Sequence, residues 1–256
     1  MDFIKVETDG PVTTVTLNRP EVMNAINPQM HQELQAAFDA FAADDGQFVC
    51  VVTGAGEKAF CAGSDLKAAD RHRGYPKCGY AGLIERFDLN KPLIAAVNGF
   101  ALGGGFEVVL ACDIVVAAST ATFGLPEPLV GALALGGGVH RLVRQIGMKP
   151  AMGLLLSARR IDAEEAARLG IVNEVAPPGE LKTAVDRWVA DILRCSPMSI
   201  RATKETAMRG LEEPSLAEAM RKQASYPAFA ALRGSEDAAE GPRAFAEKRP
   251  PVWKGR

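Results

Sequence analysis

The chain opens with one hydrophobic rhythm and soon changes to another. In "FIKVETDGPVTTVTL" (3–17), β-branched and apolar residues flank Asp9-Gly10-Pro11, the pattern of two strands joined by a tight turn. In "NPQMHQELQAAFDAFAADD" (27–45), Met30, Leu34, Phe38 and Phe41 fall on one helical face, with Asn27 as cap and Pro28 at the first position. "FVCVVTG" (48–54) and "LIAAVNG" (93–99) are short apolar runs ending in glycine, which suits strands buried on both faces. "DIVVAAS" (113–119) reads as another strand. Strand–turn–helix units up to about residue 125 predict an α/β core with much parallel pairing. From about residue 139 helices take over. Asp162 caps a helix stopped by Gly170, Ser196 caps one with Pro197 just inside, and Ser235 caps a third.

Composition narrows the function. The 256 residues are 48% hydrophobic and 23% charged, with a formal net charge of −2. That balance makes no electrostatic case for nucleic acid or an anionic membrane. The five cysteines are scattered without a C-x-x-C pair, so they form neither a disulfide framework nor a zinc knuckle. Cys50, Cys61 and Cys112 sit in apolar runs, as buried thiols of a reducing compartment do. "MDFIKVETDG" lacks the charge-then-apolar order of a secretory leader, and no run of about 18 apolar residues offers a membrane span. The expected setting is the cytoplasm. His31 is expected on an exposed helix face, His72 in the charged run "DRHRG", and His140 at a helix start. They are too isolated to predict a metal site.

Three stretches could carry chemistry. Gly103-Gly104-Gly105 precede an apolar run, and glycines before a helix leave its first N–H groups bare at the positive end of the helix dipole. Such a place suits a phosphate or a developing oxyanion. Neither a G-x-G-x-x-G fingerprint nor a Walker lysine is present. Glu107, three residues beyond Gly104, would share a helix face with those amides. A second glutamate, Glu127, is held between Pro126 and Pro128. In "KAFCAGSDLK" (58–67) the Ser64 N–H could face the same pocket, with Asp65 capping a helix from Leu66. Taken singly, each has a plainer reading: close backbone packing, a dipole-matching glutamate, or a turn. "ALGGG" occurs twice, at 101–105 and 134–138, and reads as two glycine-rich helix entries.

Together these stretches resemble the crotonase (enoyl-CoA hydratase/isomerase) family. The likeness runs through "LNRPEVMNAIN" (17–27), "FCAGSDLK" (60–67), "NGFALGGGFEVVLACDIVVA" (98–117), "FGLPEP" (123–128) and "AFAEKR" (244–249). The C-terminal "SEDAAEGPRAFAEKRPPVWKGR" looks most like the carnitinyl-CoA (crotonobetainyl-CoA) hydratase branch. That branch commonly has a bulky aromatic where this chain has Ser64, and "GALALGGG" (131–138) lacks the proline common in the family. The resemblance implies an α/β spiral of β-β-α units over residues 1–195, with a helical oligomerisation region at 196–256 that builds trimers or hexamers.

It further implies that the N–H groups of Ser64 and Gly104 form an oxyanion hole, with Glu107 and Glu127 as the catalytic pair. Ala62, Ser64, Asp65, Leu66 and Lys67 would lie along the CoA chain, and Phe245 and Lys248 would reach the CoA of a neighbouring subunit. The implied reaction is reversible addition of water to a 2-enoyl-CoA, with no cofactor beyond the CoA of the substrate. Glu107 would activate water and Glu127 would protonate C2. Keeping both glutamates favours hydration over isomerisation or hydrolysis. A serine hydrolase using Ser64 is a competing class, although no G-x-S-x-G elbow is present. An acyl-CoA-binding or RNA-associated protein is a third.

Overall fold

The computed structural model describes residues 1–68 and 74–256. The elements in chain order begin with β1 (Ile4–Asp9), β2 (Val12–Leu17), α1 (Pro28–Ala43), β3 (Val49–Gly54) and β4 (Ala59–Cys61). Then come β5 (Leu93–Val97), β6 (Phe100–Leu102), α2 (Gly104–Ala111), β7 (Ile114–Ala118) and β8 (Thr122–Gly124). The later part holds α3 (Gly138–Ile146), α4 (Met148–Ser157), β9 (Ile161–Asp162), α5 (Ala163–Arg168) and β10 (Glu174–Ala176). It closes with α6 (Leu181–Leu193), α7 (Pro197–Gly210), α8 (Leu216–Lys222), α9 (Pro227–Arg233) and α10 (Glu236–Ala246).

Two sheets organise the described residues. The larger runs β1-β2-β3-β5-β7-β10 and is parallel beyond the β1–β2 hairpin; the smaller runs β4-β6-β8-β9. Each of β3, β5 and β7 leaves the larger sheet and is followed at once by a short strand of the smaller one, which makes the chain a spiral. Glycine permits the corners after β3 and β5. A Cβ on Gly54 would lie 2.4 Å from the Ala59 carbonyl oxygen, and one on Gly99 would lie 2.3 Å from that of Lys58.

The larger sheet is covered on both faces. Cys50, Val52, Ala95, Val97 and Ala117 pack into the main core with the apolar face of α1, where Met30, Leu34, Phe38 and Phe41 are buried. Burying such side chains stabilises by about 1.5–3 kcal/mol each. Val49, Val51, Ile94, Ala96 and Val116 face the other way and meet Ala184 and Val185 of α6. Cys50, Cys61 and Cys112 are buried free thiols, as the apolar runs imply.

Beyond α6, the chain docks back on the spiral. Lys204 of α7 binds Asp113 Oδ2 at 2.7 Å and donates to the Lys91 carbonyl at 3.0 Å. Asp237, almost fully buried, accepts from the hydroxyl of Ser196 and from the N–H groups of Lys254 and Gly255. Among the described residues, no helix is long and apolar enough to cross a membrane.

Candidate active site

Three segments distant in sequence meet at the start of α2. The chain leaves β6 and turns at Gly103 with φ +55°, a left-handed conformation that favours glycine. Gly104 is the first helical residue, so its N–H has no partner inside the helix. Gly63 lies directly against this corner. With φ +95°, its missing Cβ would stand 3.3 Å from the Gly104 nitrogen.

The loop around Gly63 is tied on one side to residues 23–26. Ala62 N–H donates to Met23, Ile26 N–H to Gly63, and Asp65 N–H to Ile26, at 2.8–3.0 Å. Ile26 and Ser64 thus form a parallel bridge, in which the N–H of Ser64 itself points away from Ile26. Among the described residues no acceptor meets that N–H.

Glu107 lies one turn into α2 and is only 4% exposed. Its Oε1 accepts from the N–H of Gly138 at 2.9 Å, so the second "ALGGG" packs on the glutamate that follows the first. Burial pushes its pKa up to about 7; the Gly138 N–H opposes the rise and the nearby charge of Glu127 adds to it. Glu127 opens a single 3-10 turn, Glu127–Val130, between its two prolines. Its Oε1 lies 3.1 Å from where a Gly103 Cβ would be. Its Oε2 is shielded from solvent and has no partner among the described residues. Burial raises the pKa of this carboxyl too. Two carboxyls that hold protons unusually well therefore flank a corner with bare amides. Such a site can steady negative charge on an oxygen while passing protons on either side of it.

The expected binding residues are spread more widely. Ala62 and Asp65 are half-buried, with Asp65 paired to Arg19 at 3.0 Å, while Leu66 and Lys67 are exposed at the rim. Phe245 is 87% exposed at the end of α10 and Lys248 is exposed just beyond it. That helix packs on α7 and α9, which contribute nothing to the glutamate pair.

Two expectations are corrected. His31 is buried rather than exposed, because α1 is covered on that side by the Tyr80–Gly82 turn, and its Nδ1 accepts from the N–H of Ala81 at 2.9 Å. Asp65 caps no helix at Leu66: the chain makes a turn there, in which Asp65 Oδ1 accepts from the N–H of Lys67. His72 lies outside the described residues. His140 is exposed in the first turn of α3, where it was expected. The sequence reading missed Tyr80, whose ring packs against Gly104, and Gly136 and Gly138 as the seat of the Glu107 carboxyl. The repeated "ALGGG" was a signal for the glycines. For Tyr80 there was none.

A family model described as enoyl-CoA hydratase/isomerase matches residues 7–256. A protein of Salmonella arizonae named carnitinyl-CoA dehydratase is 42% identical, with 99% of each chain covered. A protein of the same name from Citrobacter koseri is 43% identical over 96% of each chain. Among solved structures, an enoyl-CoA hydratase from Mycobacterium tuberculosis superposes with a TM-score of 0.92 at 37% identity, and one from Mycobacterium marinum with 0.92 at 39%. Both alignments cover 100% of each chain.

Proposed function

The chain belongs to the enoyl-CoA hydratase/isomerase family, and we propose that within it the chain is a hydro-lyase that adds water reversibly to a 2-enoyl-CoA. The observation that carries this reading is the pair Glu107 and Glu127 flanking the bare amide of Gly104. Attack of water on C3 moves the C2–C3 π electrons toward the thioester oxygen. The N–H groups of Ser64 and Gly104 steady that oxygen, and losing one such donor costs ~3–4 kcal/mol. Glu107, ionised, takes a proton from the water as its oxygen bonds to C3; Glu127, protonated, delivers a proton to C2. The two carboxyls then exchange back, and the reverse sequence dehydrates a 3-hydroxyacyl-CoA.

Ala62, Ser64, Asp65, Leu66 and Lys67 would border the CoA chain. Residues 196–256 would serve assembly into trimers or hexamers, with the exposed Phe245 and Lys248 reaching a neighbour's CoA. Three buried free thiols fit a reducing, cytoplasmic setting. A narrower reading, dehydration of carnitinyl-CoA, is favoured by whole-chain identities of 42% and 43% to proteins bearing that name.

One panel tests both readings: purified protein with straight-chain, branched and crotonobetainyl enoyl-CoAs, followed by loss of the conjugated absorbance. Turnover of the straight-chain esters supports the broad reading, and turnover of the crotonobetainyl ester alone supports the narrow one. Release of free CoA without hydration would sink both and favour a hydrolase.

A further inference from the structure

Behind the Gly104 amide lies a group of side chains that the hydration scheme does not use. The ring of Tyr80 fills the space that the missing side chain of Gly104 leaves open. A Cβ there would lie 2.2 Å from Tyr80 Cζ and 2.4 Å from its hydroxyl oxygen. The Ser64 hydroxyl donates to that oxygen at 3.4 Å. Tyr80 is 3% exposed and Ser64 is exposed, so the bond runs from the floor of the site to its mouth.

Tyr80 is itself held from behind. His31 of α1 meets its ring edge-on, with centroids 4.6 Å apart, and Tyr75 does so at 5.5 Å. The next residue, Ala81, has φ +55°, an unusual conformation for a residue with a side chain. The bond from its N–H to His31 Nδ1 secures that conformation. Gly82 is pressed so closely on α1 that a Cβ would lie 2.4 Å from the Gln35 Cα. Burial holds the Tyr80 phenol well above its usual range, so it stays protonated and neutral beside Glu107.

The loop carrying Ser64 therefore has two supports. Backbone bonds to residues 23–26 hold one side, and the hydroxyl pair with Tyr80 ties it toward Gly104. An oxyanion donor works only within a narrow range of about 2.7–3.1 Å from the developing charge. We propose that Tyr80 is a positioning residue for hydration: through its bond to Ser64 it fixes the 62–64 loop against Gly104, so that both amides converge on the thioester oxygen. The proposal rests on the reading of those two amides as the oxyanion hole.

The test removes the bond from each end. Tyr80→Phe keeps the ring that packs on Gly104, and Ser64→Ala keeps the backbone N–H while removing the hydroxyl that meets Tyr80. Each should lower kcat for hydration of crotonyl-CoA roughly 5-fold with KM within about twofold. The double variant should be no slower than either single, because one bond is lost in all three. An infrared difference spectrum of bound butyryl-CoA, labelled with ¹³C at the thioester carbonyl, gives a second measurement. The wild type should lower the carbonyl frequency, and both single variants should lose part of that shift. A full shift and full kcat in both variants, or losses that multiply in the double, would overturn the role of Tyr80. A wild type with no carbonyl shift would remove the oxyanion-hole reading and this proposal with it.

Discussion

Glu107 Oε1 accepts the N–H of Gly138, 31 residues further along the chain, at 2.9 Å, a bond that joins the two glycine-rich helix entries. The entries have different physical tasks. The first frees an amide and admits Tyr80 and the Cys61 carbonyl, while the second makes room for a carboxyl.

Alanine substitutions should separate these tasks. A Cβ on Gly136 would lie 2.3 Å from Glu107 Oε2, the movable end of a side chain. Gly136→Ala is expected to displace the carboxyl, cutting kcat at least tenfold while changing stability by less than about 1 kcal/mol. A Cβ on Gly105 would lie 2.2 Å from the Cys61 carbonyl, which is backbone in β4. Gly105→Ala should therefore cost about 3 kcal/mol or more in urea unfolding. Equal effects on both measurements in the two variants would refute this division.

Replacing either glutamate of the proposed pair should separate chemistry from binding. Glu107→Gln and Glu127→Gln preserve shape and remove a titratable proton, so hydration should fall roughly 10²-fold or more with acyl-CoA affinity nearly unchanged. Near wild-type turnover in either variant would show that its glutamate moves no essential proton.

The raised pKa of Glu107 makes a prediction about rate. If Glu107 must be ionised to take the proton from water, kcat/KM for hydration should rise with pH through about 7. A profile flat from pH 5 to 8 would exclude Glu107 as the titrating base.

The same shift affects stability with a defined sign. Folding raises the pKa of Glu107 from 4.5 to about 7, so between those values the native state binds more protons than the unfolded state. The contribution of Glu107 to stability therefore declines as pH rises through that window, by about 3 kcal/mol in all. Glu107→Gln should gain stability relative to the wild type as pH rises from 4.5 to 7. Urea midpoints at pH 5 and pH 8 measure this, and a constant difference between the two proteins would contradict it.

Phe245 tests the shared site. Because the ring is 87% exposed, Phe245→Ala should leave the fold of the single chain unharmed. It should raise KM several-fold and weaken CoA binding if a neighbour uses the ring. Deleting residues 235–256 should have a larger effect and also disturb assembly, since Asp237 and the tail bind Ser196 and α7. A wild-type protein that sediments as a monomer with full activity would refute the idea.

The sequence by itself determined the longer elements. Asn27, Asp162, Ser196 and Ser235 each accept a backbone N–H at the helix starts that their residue types predicted, since a cap is a local bond between residues three apart. The apolar runs of β3, β5 and β7 were readable because burial on both faces demands apolar residues throughout. The motif order pointed to Ser64, Gly104, Glu107 and Glu127, which the fold gathers around the start of α2. The small sheet was not readable, because strands of two or three residues such as β6 and β9 are too short to show a period. Only the tertiary structure decided that His31 is buried, since the covering Tyr80–Gly82 turn comes from 50 residues away. It also decided what the glycines are for. A missing Cβ becomes a requirement only when another part of the chain occupies its place, as Tyr80 does at Gly104 and Glu107 does at Gly136.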